Sequence, residues 1–87
     1  MTVIRTKTNW VIAHEPEPGD RYVHVVWFGP AGDGRHSRAF KGPPEPLDTF
    51  QASVDWALSM ADFMCSPIYV TPLTERQARK LRKELRS

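Results

Sequence analysis

The hydrophobic pattern is most regular between Asp48 and Cys65, where apolar residues recur at the spacing of an amphipathic helix. On a helical wheel, one arc contains Leu47, Phe50, Val54, Ala57, Leu58, Ala61, Met64 and Cys65. This arc predicts the face that a helix over residues 48–65 turns towards the core, with the Cys65 thiol buried. The other segments have the composition of β-strands, and we expect the helix to pack against the sheet that they form.

A second apolar ridge lies on roughly the opposite side of the predicted helix and consists of Trp56, Met60 and Phe63. Three acids at heptad spacing mark the narrow polar strip, namely Asp48, Asp55 and Asp62. A helix with two apolar sides needs cover on both of them. A sheet can cover one side, and either the C-terminal helix or a partner must cover the other.

Three segments before the helix have the composition of strands. They are Thr2–Glu15, with a break near Thr8 and Asn9, then Arg21–Phe28 and Arg35–Lys41. Two turn sequences, PEPGD and GPAGDG, separate them. Both faces of Arg21–Phe28 are apolar, which favours a central strand. The short turns predict an antiparallel β-meander of three strands.

The sequence GPPEP at 42–46 ends the predicted sheet because consecutive prolines cannot join a ladder. Asp48 and Gln51 have the spacing of a capping box at the helix start, and Thr74 and Gln77 have it before the last helix. Between the helices, Ile68–Val70 predicts a short fourth strand, placed at a sheet edge because Pro67 leads it. The prediction is an α+β fold with the order β-β-β-α-β-α in one domain over 1–87.

Size and charge limit the classes of protein to consider. The chain has 87 residues and one cysteine, so an intrachain disulfide is excluded. The apolar runs are too short for a membrane span or a signal peptide. We therefore expect a soluble cytoplasmic protein without membrane partners. The net charge of +2 is uneven, because residues 73–87 carry six basic and two acidic side chains.

The residue types of a catalytic or metal site are present but not grouped. His14, His24 and His36 do not converge in the predicted pairing, so no metal site is expected. Acids seven residues apart on a helix are about 10 Å apart, too far to share a proton. Serine or cysteine beside an oriented base is also absent from the pattern. We expect no enzymatic activity and no cofactor.

Two binding surfaces remain as alternatives. The ridge with its acidic strip favours a protein partner or a homodimer, unless the last helix covers it. The last helix favours nucleic acid through phosphate contacts. Its cations are Arg76, Arg79, Lys80, Arg82, Lys83 and Arg86. If these share one face with Arg35, Arg38 and Lys41, the nucleic-acid alternative gains.

The segment from Val54 to Val70 resembles part of the small type I-F anti-CRISPR proteins that phages encode. The shared features are a methionine-rich helix and the strand Ser66-Pro67-Ile68-Tyr69-Val70, over about a fifth of the chain. The first forty residues and the basic last helix depart from that family. The resemblance implies a non-catalytic inhibitor that binds a bacterial CRISPR surveillance complex and blocks DNA capture. It assigns no functional residues.

Overall fold

The computed structural model describes residues 1–30 and 32–86. Ala31, within the predicted turn at 29–34, and Ser87 lie outside the described residues. The strands are β1 (Thr2–Arg5), β2 (Trp10–Ala13), β3 (Asp20–Pro30), β4 (Ser37–Lys41), β5 (Glu45–Pro46) and β6 (Ile68–Thr74). The helices are a 3₁₀ turn (Leu47–Thr49), α1 (Phe50–Met64) and α2 (Glu75–Arg86). The predicted α+β class and the order of its elements are confirmed.

The strands of the single sheet follow the order β1-β2-β6-β3-β4, and β5 pairs with the beginning of β3. The strand β2 runs parallel to β6, and the other neighbours are antiparallel. The expected meander therefore holds for β3 with β4, whereas β6 lies between the first and second predicted strands. The strand β3 is interior, as its two apolar faces predict.

The prediction of an edge position for the segment after α1 is wrong. Pro67 precedes β6 and removes no ladder donor from it. Val70 accepts a hydrogen bond from the His14 backbone N–H at 3.0 Å, so its carbonyl points towards β2. The backbone nitrogen of Pro72, two residues later, also faces the β2 side. The β2–β6 pairing has already ended there, at Ala13 and Val70, so the missing N–H of Pro72 interrupts no hydrogen bond between these strands. A central strand therefore tolerates both prolines.

The segment Thr2–Glu15 forms a hairpin, and its break lies at the turn of residues 6–9. The Thr6 N–H donates to the Asn9 carbonyl at 2.9 Å, and the Asn9 N–H donates to the Thr6 hydroxyl at 2.9 Å. The carboxylate of Asp62 on α1 accepts from the backbone N–H groups of Lys7 and Thr8 at 3.0 and 2.8 Å. The hairpin is thereby attached to the central helix.

The ends of α1 differ from the prediction. The expected capping box is absent, because Asp48 lies in the 3₁₀ turn and the side chain of Gln51 donates to Asp55 at 3.1 Å. Cys65 ends the helix in the left-handed region, at φ 54°. This conformation turns Cys65 out of the helical arc, so its thiol is exposed rather than buried. The capping box of Thr74 and Gln77 is confirmed by reciprocal bonds of 2.8 and 3.2 Å.

The sheet has a helix on each of its two faces. The main core lies between the sheet and α1 and contains Val11, Ala13, Val23, Val54, Ala57, Ala61, Ile68 and Val70. A smaller core on the other face joins Leu73 of β6 to Ala78 and Leu81 of α2, with Tyr22 packed against it. Side chains alternate along a strand, so Leu73 and Tyr22 face away from α1. The helix α2 therefore does not cover the outer ridge of α1.

Candidate functional site

An apolar groove lies beside the first half of α1, and we call it the helix-side groove. Its volume is about 420 Å³. It is lined by Val25, Trp27, Gly42, Pro43, Glu45, Thr49, Ala52, Ser53 and Trp56. Gly42 allows a close approach here, because a Cβ atom would lie only 3.0 Å from Cγ2 of Val25, and its N–H donates to the Val25 carbonyl. The close approach brings the 42–46 segment against the sheet and forms one wall.

A row of aromatic rings forms the floor and rim of the helix-side groove. Trp56 of α1 meets Trp27 of β3 edge to face, with centroids 6.2 Å apart. Trp27 stacks on Phe40 of β4 at 6.1 Å, and the guanidinium of Arg38 lies 4.6 Å from the Phe40 centroid. Trp56 retains 39% exposure, so the row continues to the surface. Such a ring cluster provides rigid apolar contact area.

The three residues of the predicted ridge have different surroundings. Trp56 lines the groove, Met60 is partly buried against the main core, and Phe63 is 81% exposed. They share a side of α1, but Met60 contributes to the core between the other two. The ridge is therefore two separate exposed aromatic positions rather than one continuous surface.

The three acids of the predicted strip also separate. Asp48 and Asp55 are exposed, and each directly precedes a residue that lines the groove, Thr49 and Trp56 respectively. Asp62 instead binds the hairpin turn, where the hydroxyl groups of Thr6 and Thr8 donate to it at 2.7 and 2.8 Å. These bonds, with the Thr8 N–H, hold the pKa of the Asp62 carboxyl well below its ordinary value of 3.8. Its role is to anchor the hairpin.

The sheet separates an acidic layer from a basic layer. The helix α1 contains Asp55 and Asp62 but no lysine or arginine, and Asp48 and Glu45 lie just before it. On the opposite face, α2 contains six basic and two acidic residues. The acids of the groove are therefore on the side away from the basic helix.

The basic residues do not gather on one face with the cations of β4. Arg38 lies over Phe40 on the α1 side, whereas Lys41 pairs with Glu84 of α2 at 3.2 Å on the other side. Within α2, Arg82 lies 4.8 Å from the Tyr22 ring, and Arg86 is exposed at the last turn. The remaining four line one shallow surface, namely Arg76, Arg79, Lys80 and Lys83.

An open part of the sheet face beside α2 was not singled out by the sequence, and we call it the sheet platform. It consists of Val3, Trp10, Ile12, Val26, Phe28 and Tyr69. Trp10 and Phe28 are 43% and 38% exposed. The sequence does show that Trp10 and Ile12 alternate with Val11 and Ala13, so the two pairs lie on opposite faces of β2. It does not show which pair faces the core, so the open face could not be identified from the alternation alone.

The histidines lie apart, one exposed (His14), one buried (His24), and one paired with an acid. His36 Nδ1 lies 2.8 Å from the Asp33 carboxylate in the turn before β4. Over residues 1–30 and 32–86, no group of three or more histidine, cysteine or acidic side chains could hold a metal ion. In the same residues, no helix is long and apolar enough to cross a membrane.

These features define a small α+β protein with an apolar groove beside α1 and an open aromatic surface on the opposite face of the sheet. Comparisons of the chain with protein-family models, with curated proteins and with solved structures gave no match.

Proposed function

We propose that the protein acts by binding a partner protein in the helix-side groove, without enzymatic activity. The observation that carries this proposal is an apolar groove floored by Trp27 and Trp56, with Glu45 as the acid in its lining. Aromatic anchors in a pocket contribute most of the binding energy at protein interfaces. A groove of this kind suits a segment that inserts an apolar side chain.

The charge near the groove supports a basic partner. Glu45 lines the groove, and the exposed Asp48 and Asp55 each directly precede a lining residue. Because α1 contains no lysine or arginine, the helix side of the rim is negative. Complementary charge speeds association and excludes wrong partners. The partner we propose therefore presents an apolar residue flanked by lysine or arginine.

The finer form of the proposal is an inhibitor encoded by a phage or mobile element that binds a bacterial host complex. It rests on the resemblance of residues 54–70 to the type I-F anti-CRISPR proteins. Nucleic-acid-binding complexes expose the basic segments that an acidic groove fits. A homodimer through the same groove is the competing protein-binding arrangement.

Replacing Ala52 by arginine tests the groove, because the new side chain adds bulk and positive charge at an exposed helical position in its lining. The matched control is Ser59→Arg, seven residues later on the same helix and outside the lining. Tagged wild type and both variants are incubated with a nuclease-treated bacterial lysate. We expect one set of proteins to be retained by wild type and Ser59→Arg, and lost with Ala52→Arg.

Equal retention by all three proteins, or no specific protein with wild type, would contradict the proposal. A second arm uses a purified type I-F surveillance complex as the probe. Binding that Ala52→Arg abolishes would support the finer form. Absence of binding to this complex would overturn the finer form. The lysate experiment would then test by itself whether the groove binds a partner protein. Sedimentation of the pure protein checks the homodimer, which Ala52→Arg would dissociate.

A further inference from the structure

The sheet platform is an apolar surface that α2 leaves open. Pairing of Val3 with Ile12, Ile12 with Tyr69, and Tyr69 with Val26 aligns four side chains in one row across β1, β2, β6 and β3. Trp10 and Phe28 lie two residues further along β2 and β3, on the same face. Among the described residues, none of these six belongs to either core cluster.

Aromatic rings dominate the platform and stand at fixed positions. The rings of Phe28 and Tyr69 contact edge to face, with centroids 6.0 Å apart. The guanidinium of Arg5 lies 5.2 Å from the centroid of Trp10, its cross-strand neighbour. Exposed rings on adjacent strands are the arrangement on which unpaired bases stack, because every base has an apolar face.

The charges around the platform suit a polyanion. The helix α2 lies on the same side of the sheet, with a net charge of +4 from six basic and two acidic residues. Its stripe of Arg76, Arg79, Lys80 and Lys83 lines a surface of its own, on the outer side of α2 opposite the buried Ala78 and Leu81, and a strand bound to the platform would have to extend over α2 to reach it. At the end of the platform that holds Trp10 and Phe28, Arg5 lies over Trp10 and Arg35 lines a cleft with Phe28.

Asp33 lies in the turn just before Arg35, where it accepts hydrogen bonds from the backbone N–H groups of Arg35 and His36 and contacts the His36 ring. Three other acids lie away from that end. Glu15, Glu17 and Asp20 line a cleft with His14 and the start of α2, at the opposite end of β2. Glu84 is paired with Lys41. A second copy of the chain docked face to face would bring two helices of charge +4 together, which opposes self-association through the platform.

From this combination of rings and cations we propose that the sheet platform binds single-stranded nucleic acid. Bases stack on Trp10, Tyr69 and Phe28, and phosphates contact Arg5 and the stripe of α2. The inference is independent of the helix-side groove, which lies on the other face of the sheet. It differs from binding by the basic helix alone, because stacking requires unpaired bases.

Fluorescence anisotropy with a labelled oligo(dT) of about 12 nucleotides tests the stacking. Trp10→Leu keeps an apolar β-strand residue but removes the ring, and we expect it to weaken binding about 10-fold or more. Trp10→Phe restores a ring and should retain most of the affinity. The control is Phe63→Ala, which removes an exposed ring on the α1 side and should leave binding unchanged.

Two further arms separate stacking from charge. The double variant Arg76→Gln, Lys80→Gln should reduce the slope of log affinity against log salt by about 1.4, which corresponds to two fewer phosphate contacts. A DNA duplex of the same length should compete poorly because its bases are covered. Oligo(rU) should bind like oligo(dT), since these contacts do not use the 2′-hydroxyl.

Three results would overturn the inference. Equal competition by the duplex would assign binding to phosphates alone, and unchanged affinity of Trp10→Leu would exclude the platform. A dimer in sedimentation that Trp10→Leu dissociates, together with no oligonucleotide binding, would show that the platform joins two copies of the chain. Circular dichroism spectra of each variant check that the fold is retained.

Discussion

His24 on β3 is a buried histidine whose Nδ1 atom has no hydrogen-bond partner among the described residues. Burial, followed by the charge of Lys41, lowers the pKa of its imidazole from the ordinary value of 6.5, although a hydrogen bond with the Gly42 backbone and the charge of Glu84 act in the opposite direction. The folded protein therefore binds this proton at a lower pH than the unfolded chain. The stability that depends on neutral His24 is complete above pH 6.5 and is lost as the pH falls through the lower folded pKa.

We expect the melting temperature of the wild type to decrease between about pH 6.5 and pH 5, a range above the titration of ordinary carboxylates. His24→Leu removes both the proton site and the unpaired nitrogen, so this part of the decrease should disappear. Thermal melts at several pH values measure it. His14→Leu, at an exposed position, is the control and should follow the wild type. Parallel curves for wild type and His24→Leu would refute the assignment.

One carboxylate of α1 holds the turn of the β1–β2 hairpin, in addition to the core packing between α1 and β2. Asp62 accepts four hydrogen bonds from Thr6, Lys7 and Thr8, at 2.7 to 3.0 Å. Asp62→Ala should leave two backbone N–H groups of the turn without their acceptor and lower the melting temperature. Asp55→Ala, one heptad earlier, loses only a bond from Gln51 at 3.1 Å and should change it much less.

Hydrogen exchange of the Lys7 and Thr8 amides separates a local effect from a global one. Faster exchange at the turn in Asp62→Ala, and not in Asp55→Ala, is the expected pattern. Because the pKa of the Asp62 carboxyl is lowered in the fold, the same contact should weaken in the wild type as the pH falls below 3.8. Equal melting temperatures for the two variants would contradict the anchoring role.

At the scale of the whole molecule, β6 joins the two halves of the sheet and contributes to both cores. It pairs with β2 on one side and β3 on the other, and its Ile68 is fully buried. Ile68→Ala should reduce the free energy of unfolding by about 2–5 kcal/mol, because it leaves a cavity in the main core. Urea denaturation measures this change.

Phe63→Ala is the matched comparison, because Phe63 is a larger apolar side chain five residues earlier but is 81% exposed. Its substitution should change stability by no more than about 0.5 kcal/mol. A large loss with Phe63→Ala would mean that a partner or a second copy buries this ring in solution. A small loss with Ile68→Ala would contradict the central place of β6.

Several features of the fold could be predicted because they depend on neighbours within a few residues. The helical arc of α1, the two-sided β3, the capping box of Thr74 and Gln77, and the charge of α2 are all properties of local sequence. Their positions were correct to within a few residues. Helical periodicity does not reveal the contacts of Met60 with the main core or of Asp62 with the hairpin turn, because both depend on residues distant in the chain.

The sequence by itself determined the α+β class, the order of elements and the separation of acidic from basic segments. Only the tertiary structure decided that β6 enters between β2 and β3, that α2 covers the face opposite α1, and that Trp10, Phe28 and Tyr69 share an open surface. Strand neighbours depend on contacts between residues such as Val11 and Ile68, far apart in the chain. Alternation shows that a strand has two faces, but the packing of both helices determines which face stays open.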